Sequence, residues 1–167
     1  MRKGELPMKR QDYITWDEYF MGLSILTGMR SKDPNTQVGA CIVSPEHRIL
    51  SMGYNGMPTG CSDDELPWDR EADDPLNTKY LYVCHAELNA ILNNGGGSIR
   101  GSSIYVSLFP CSNCAKAIIQ AGIKEVVYRE DKYADTTDVK ASKRMLSMAG
   151  VRMRQLPLSN KHIEFEV

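Results

Sequence analysis

No stretch of this chain approaches the ~20 consecutive apolar residues that a membrane-spanning helix requires, so neither a span nor a membrane partner is expected. The basic opening MRKGELPMKR is followed by no apolar core segment, which argues against a secretory signal and for a cytoplasmic location. Neither sign of charge is in excess. Twenty Lys and Arg face 21 Asp and Glu, a formal net charge of −1, whereas a polynucleotide binder needs clustered surplus cations to hold backbone phosphates. Repeats, low-complexity tracts and Pro/Gly/Ser-rich linkers are also missing, so nothing divides the 167 residues. That length suits one domain with one sizeable core. Cysteine is scarce and odd in number, five in all, which fits reduced thiols better than a disulfide framework.

What is present reads as an α/β domain over residues 14–156, with an N-terminal arm, 1–13, and a C-terminal tail, 157–167. Thr15 and Glu18 have capping-box spacing, and Trp16, Tyr19, Phe20, Leu23 and Leu26 recur at helical intervals, predicting one buried stripe. Gln37–Ser44 and Arg48–Tyr54 are β-rich runs joined by Pro45-Glu46-His47, a hairpin. A loop of nearly thirty residues follows, and loops of that length inside compact domains are usually functional. Its acidic stretch, Asp63 to Asp74, is either a solvated surface or a ligand-facing one. Beyond it the chain alternates regularly: helix His85–Asn94, strand Ser103–Leu108, helix Cys111–Ala121, strand Glu125–Tyr128, helix Thr137–Ala149 and strand Val151–Leu156. Gly122 and Gly150 mark two helix ends. Strand–helix–strand units imply parallel pairing with right-handed crossovers, so the expected architecture is a mixed five-stranded sheet, opened by an antiparallel hairpin and sandwiched by helices. In the tail, Ile163, Phe165 and Val167 alternate with polar residues, as an edge strand or an arm laid on a partner would.

The chemistry concentrates in His85-Ala86-Glu87 and Pro110-Cys111-Ser112-Asn113-Cys114. Each motif sits where a segment turns into a helix, and the positive end of a helix favours thiolate at Cys111. His85, Cys111 and Cys114 are suitable donors for Zn²⁺. A structural zinc site is closed by four protein ligands, while three donors and one open position are the catalytic pattern. Cys84 enters the helix from the wrong side to chelate the same ion; it and Cys41 read as small packed hydrophobes. Glu87, two residues past His85, can stand beside the metal without binding it and carry protons. The order H-x-E…P-C-x-x-C is a signature of zinc-dependent nucleobase deaminases.

Four stretches narrow this further: Arg30-Ser31-Lys32-Asp33-Pro34-Asn35-Thr36-Gln37-Val38-Gly39-Ala40, Gly53-Tyr54-Asn55-Gly56-Met57-Pro58, Cys84-His85-Ala86-Glu87-Leu88-Asn89-Ala90 and Phe109-Pro110-Cys111-Ser112-Asn113-Cys114-Ala115-Lys116. With the acidic loop and Asp131-Lys132-Tyr133, they resemble the animal-type deoxycytidylate deaminases of the cytidine/deoxycytidylate deaminase superfamily. The resemblance implies a cytidine deaminase-like three-layer α/β/α sandwich that hydrolyses dCMP to dUMP and ammonia, supplying thymidylate synthesis. It implies one catalytic zinc on His85, Cys111 and Cys114, with Glu87 as proton carrier. It places substrate contacts at Arg30, Lys32, Asn35, Asn55, Ala86, Lys132 and Tyr133. It further implies a homohexamer activated by dCTP with Mg²⁺ and inhibited by dTTP. The effector site would draw on Asn55, Gly56, Met57, Gly60, Cys61, Asp63 and Asp64. A second, structural zinc has no evident ligand set, since Cys61, His47 and His162 stand apart in the sequence. The rival readings are a deaminase of a nucleoside, tRNA or single-stranded DNA, and a zinc-stabilised interaction domain without turnover.

Overall fold

The capping box predicted at Thr15 is present: its hydroxyl accepts the Glu18 N–H at 3.2 Å while the Glu18 carboxylate accepts the Thr15 N–H at 2.6 Å. It starts helix α1, Trp16–Gly28, in a computed structural model that describes residues 8–157, 162–164 and 166. Strands β1 (Gly39–Val43) and β2 (Ile49–Tyr54) follow, then α2 (Ala86–Leu92), β3 (Ser103–Leu108), α3 (Ser112–Ala121), β4 (Glu125–Glu130), α4 (Thr137–Met148) and β5 (Arg152–Gln155). The sheet order is β2-β1-β3-β4-β5. β1 is antiparallel to β2 and to β3, whereas β3, β4 and β5 run parallel, as the helical crossovers require.

Alternation along the strands divides the interior in two. Ala40, Ile42, Ile104, Val106 and Val126 face α2, α3 and α4, meeting Ala86, Ala90, Ala115, Ile118, Val139 and Leu146. Cys41, Val43, Tyr105 and Val127 face the opposite way, onto Phe20 and Met21 of α1. The result is the three-layer sandwich expected from the sequence. Arg154 of the edge strand β5 ties α1 to the sheet, holding both oxygens of Asp17 at 2.6 and 2.9 Å.

The face that α1 buries differs from the predicted stripe. Phe20, Met21, Ser24 and Gly28 are buried, while Trp16 is 54%, Leu26 41% and Tyr19 38% exposed. The cause is the closeness of the helix to β1. The Ser24 hydroxyl donates to the Gly39 carbonyl at 2.6 Å, and a Cβ on Gly39 would overlap the Ser24 carbonyl oxygen. Small residues occupy that contact, and the large ones rotate outward. There, Tyr19, Leu26, Met29, Leu156, Pro157 and Ile163 border a groove of about 660 Å³.

Element ends moved for local reasons. β1 begins two residues later than expected because Val38 gives its N–H to the Asn55 side chain at 2.8 Å. β4 runs on to Glu130, whose carbonyl accepts the Phe109 N–H at 2.8 Å. The hairpin turn is as read, with His47 at φ 61 and its ring stacked on Trp16 at 4.7 Å. No strand includes the described tail residues; Phe165 and Val167, part of the predicted alternation, lie outside the described residues.

The helix that carries the first metal-site motif depends on one glycine. A Cβ at Gly53 of β2 would overlap the Ala90 nitrogen and would lie 2.5 Å from the Ala86 carbonyl oxygen. Backbone atoms cannot rotate away as side chains can. Gly53→Ala is therefore expected to lift α2 off the sheet and lower stability by about 1–3 kcal/mol, measured by urea unfolding. An unchanged midpoint would show that α2 can slide outward freely.

Candidate active site

His85 and Cys111 are both N-caps, of α2 and α3 respectively, and both have extended backbones (ψ 155 and 172). His85 makes no side-chain cap bond, so its imidazole is directed instead to the neighbouring helix end. Its Nδ1 lies 3.4 Å from the Cys111 sulfur and 3.4 Å from the Cys114 sulfur. Tetrahedral donors bonded at ~2.0 Å (N) and ~2.3 Å (S) stand about 3.5 Å apart, so the three atoms already fit a zinc ion. Among the described residues this is the group of His, Cys, Asp and Glu that could hold a metal. It grades from exposed His85 through half-buried Cys111 to buried Cys114, which leaves it open on the histidine side.

Glu87 is 4% exposed although it occupies the first turn of α2. His85 is a cap rather than a helical residue, so helical spacing does not set the angle between the two side chains. Ala86, Glu87 and Ala90 are buried, whereas Leu92 is 69% exposed. Burial raises the Glu87 carboxyl above the usual range, opposed by the charge of His85. The carboxyl adjoins the Cys114 thiol, whose own titration is pushed up by its bond to Cys111, by burial and by Glu87. Cys111 moves the other way. The Cys114 thiol and the His85 ring hold it as thiolate, at about 4, and Cys111 in turn raises His85 to about 9. Without metal, the centre is one thiolate, one thiol and one imidazolium.

Around this group the structure places the other predicted residues unevenly. Ala86 is fully buried at the start of α2. Arg30 and Asn35 are exposed on the segment between α1 and β1. Lys32, predicted for substrate, and Asp63, predicted for effector, are brought together in an ion pair at 2.5 Å. The Lys132 ammonium lies over its neighbour, the Tyr133 ring, at 5.1 Å. Asn55 is buried and its amide is committed inside the protein: Oδ1 accepts from Val38, and Nδ2 donates to the Thr36 carbonyl at 3.0 Å and toward Asp33. Gly56 pairs with Cys84 across an isolated bridge, Met57 is half-buried, and Gly60, Cys61 and Asp64 are exposed in the long loop.

One structural partner in that neighbourhood was not anticipated. Lys79, 7% exposed, reaches Asp33, 2% exposed, with its ammonium 2.5 Å from Oδ2. Oδ1 of Asp33 accepts the Asn35 and Thr36 N–H groups at 2.9 and 3.2 Å, so the buried carboxylate is fully satisfied, as a buried charge must be. Asp33 before Pro34 could have been read as a turn-forming acid. Nothing in the sequence marks Lys79.

Residues 14–130 match the family described as the cytidine and deoxycytidylate deaminase zinc-binding region. The chain belongs to that family. Its relatives include human deoxycytidylate deaminase, 58% identical over 147 residues that cover 88% of this chain and 83% of the human protein. A probable deoxycytidylate deaminase of Drosophila melanogaster is 53% identical, with 88% and 75% covered. Among solved structures, the dCMP deaminase of cyanophage S-TIM5 in complex with dCMP and dUMP superposes with a TM-score of 0.67 at 28% identity, over 83% of this chain and 95% of that one. The family thus has a zinc-binding region that spans both motifs, and the donor set here fits that metal.

Zinc requires both sulfurs as thiolates and the imidazole neutral, so uptake must expel the proton on Cys114 and the one on His85. Between the value of about 4 for Cys111 and that of about 9 for His85, zinc affinity should rise with pH by about two logarithmic units per pH unit. Competition against a chelator across pH 5.5–8 measures the slope. A slope near zero would mean that the free centre is already deprotonated.

Proposed function

We propose that the chain hydrolyses dCMP to dUMP and ammonia, and that His85, Cys111 and Cys114 hold the zinc while Glu87 carries the protons. The observation that carries this reading is a buried carboxyl beside a three-donor group with an open side. Zinc bound there supplies the Lewis acidity that makes water a nucleophile at neutral pH. Glu87 supplies what the metal cannot. Buried and raised, it takes a proton from the water, passes it to N3 of the pyrimidine and later serves the departing amine. The Ala86 N–H, at the start of α2, is available to the polar edge of the base.

For the rest of the nucleotide, Arg30, Lys32 and Asn35 are proposed on the phosphate side, with Lys132 and Tyr133 closing the opposite wall. Asn55 is proposed for the nucleoside, on a backbone fixed by the hydrogen bonds of its amide to Val38 and Thr36. The domain bounds 14–156, a cytoplasmic location, the homohexamer, activation by dCTP with Mg²⁺ and inhibition by dTTP belong to the same proposal. The likeness of the Asn55–Asp64 segment to the family supports the effector part, and the exposed apolar groove beside α1, a surface suited to burial between subunits, supports the assembly. No helix among the described residues is long and apolar enough to cross a membrane.

A nucleic-acid deaminase is disfavoured by the balanced charge and by the acidic loop. Incubating zinc-loaded protein with dCMP, deoxycytidine, CMP and a single-stranded oligonucleotide decides between substrates; ammonia release is expected from dCMP foremost. Release from the oligonucleotide alone would overturn the reading. Glu87→Gln should keep its zinc and lose about 10²–10⁴-fold in kcat, and loss of zinc in that variant would make Glu87 a ligand instead. Added dCTP with Mg²⁺ should turn a sigmoidal dCMP saturation curve hyperbolic, and an indifferent curve would remove the effector from the proposal.

A further inference from the structure

Helix α4 carries none of the metal donors or proposed substrate contacts, yet it grips the metal-binding turn on both sides of Cys111. Asp138 and Ser142 are four residues apart and therefore share one face of α4. The Asp138 carboxylate takes two bonds from Ser112, from its hydroxyl at 2.5 Å and from its backbone N–H at 3.1 Å. Ser112 is the first residue of α3, so this N–H is one that the helix cannot satisfy itself. One turn further on, Ser142, 0% exposed, donates its hydroxyl to the Pro110 carbonyl at 2.8 Å. Cys111 is thus held between two residues whose backbones are fixed from the same helix. The adjoining side chain, Lys143, extends the grip: its ammonium lies 5.1 Å from the Phe109 ring centroid and 2.5 Å from Asp131.

We propose that Asp138 and Ser142 are positioning residues of the metal centre, a two-point clamp that fixes the Pro110–Ser112 backbone so that Cys111 meets His85 and Cys114 at ligating distance. The inference rests on the zinc site proposed above. Geometry, rather than charge, is what the clamp supplies. A carboxylate bonded to Ser112, the neighbour of Cys111, opposes the formation of thiolates there, so its benefit to the site has to come from holding the turn. Outer partners of this kind typically change metal affinity 10–100-fold when removed. Asp138 is exposed and competes with water, which places it at the low end. Ser142 is fully buried, and its loss strands a buried carbonyl.

The test measures zinc affinity of the full chain by competition with a chromophoric chelator, alongside the melting temperature of the zinc-free protein. Asp138→Ala is expected to weaken zinc binding about tenfold and Ser142→Ala by tenfold or more. Asp138→Asn, which keeps one acceptor for the Ser112 N–H, should recover part of the loss. Met145→Ala provides the structural control. Met145 lies on the same helix and packs against the core but takes no part in the clamp, so its melting temperature should fall with zinc affinity unchanged. Affinities of Asp138→Ala and Ser142→Ala both within twofold of the parent would overturn the clamp. So would an equal loss in Met145→Ala, because α4 would then act through stability alone. A parent protein that takes up no zinc would end both readings, whereas a zinc-binding parent with indifferent variants ends this one only.

Discussion

Three donor atoms from segments 26 residues apart have to converge within hydrogen-bonding distance, and most of the architecture can be understood from that requirement. Two helices are aimed so that their N-termini meet, with His85 and Cys111 placed on the caps and Cys114 in the first turn of α3. A cap residue has extended backbone, so its side chain projects ahead of the helix instead of along its flank. At that position the free N–H groups and the helix dipole stabilise a thiolate. Bringing two such ends together demands that α2 lie nearly in contact with β2, which Gly53 permits, and that β3 and β4 run parallel so that α3 returns over the same face.

Separate from that convergence is the anchoring of the long loop. Its base is closed by the reciprocal bonds of Gly56 and Cys84, at 3.1 and 2.9 Å, and its second half is held by Lys79 on Asp33. Burying both charges is expensive and is offset only by complete pairing. Asp33 achieves this with Lys79, Asn55 and two backbone N–H groups. The same carboxylate therefore shapes the segment before β1 and the entry to α2.

How much of this was legible in the sequence follows from the range over which each signal acts. The capping box, the αL glycine at Gly122 and the strand–helix alternation are local, and they stand where the residues implied. His85, Cys111, Cys114 and Glu87 were legible because ordered motifs of reactive residues have few structural alternatives. The buried face of α1 was not. Hydrophobic periodicity favours large side chains, but the contact with β1 is so close that Ser24 and Gly28 occupy it while Trp16 and Leu26 stay outside. Lys79 and the pair Asp138 and Ser142 act across the fold on residues 46 and 26–32 positions away, and no local pattern announces a bond to a distant partner.

The Gly56–Cys84 bridge has one more consequence. It brings the two ends of a 27-residue excursion to within one strand spacing, so the chain re-enters the core almost where it left. Such a tied-off side branch can change its length without transmitting the change to His85, since doubling a flexible loop costs only about 0.6 kcal/mol of closure entropy. Changes of length between Met57 and Thr78 are thus absorbed within the loop, while Asp63 still couples it to Lys32. The size of the loop can vary, provided that Asp63 still meets Lys32 and Lys79 still reaches Asp33.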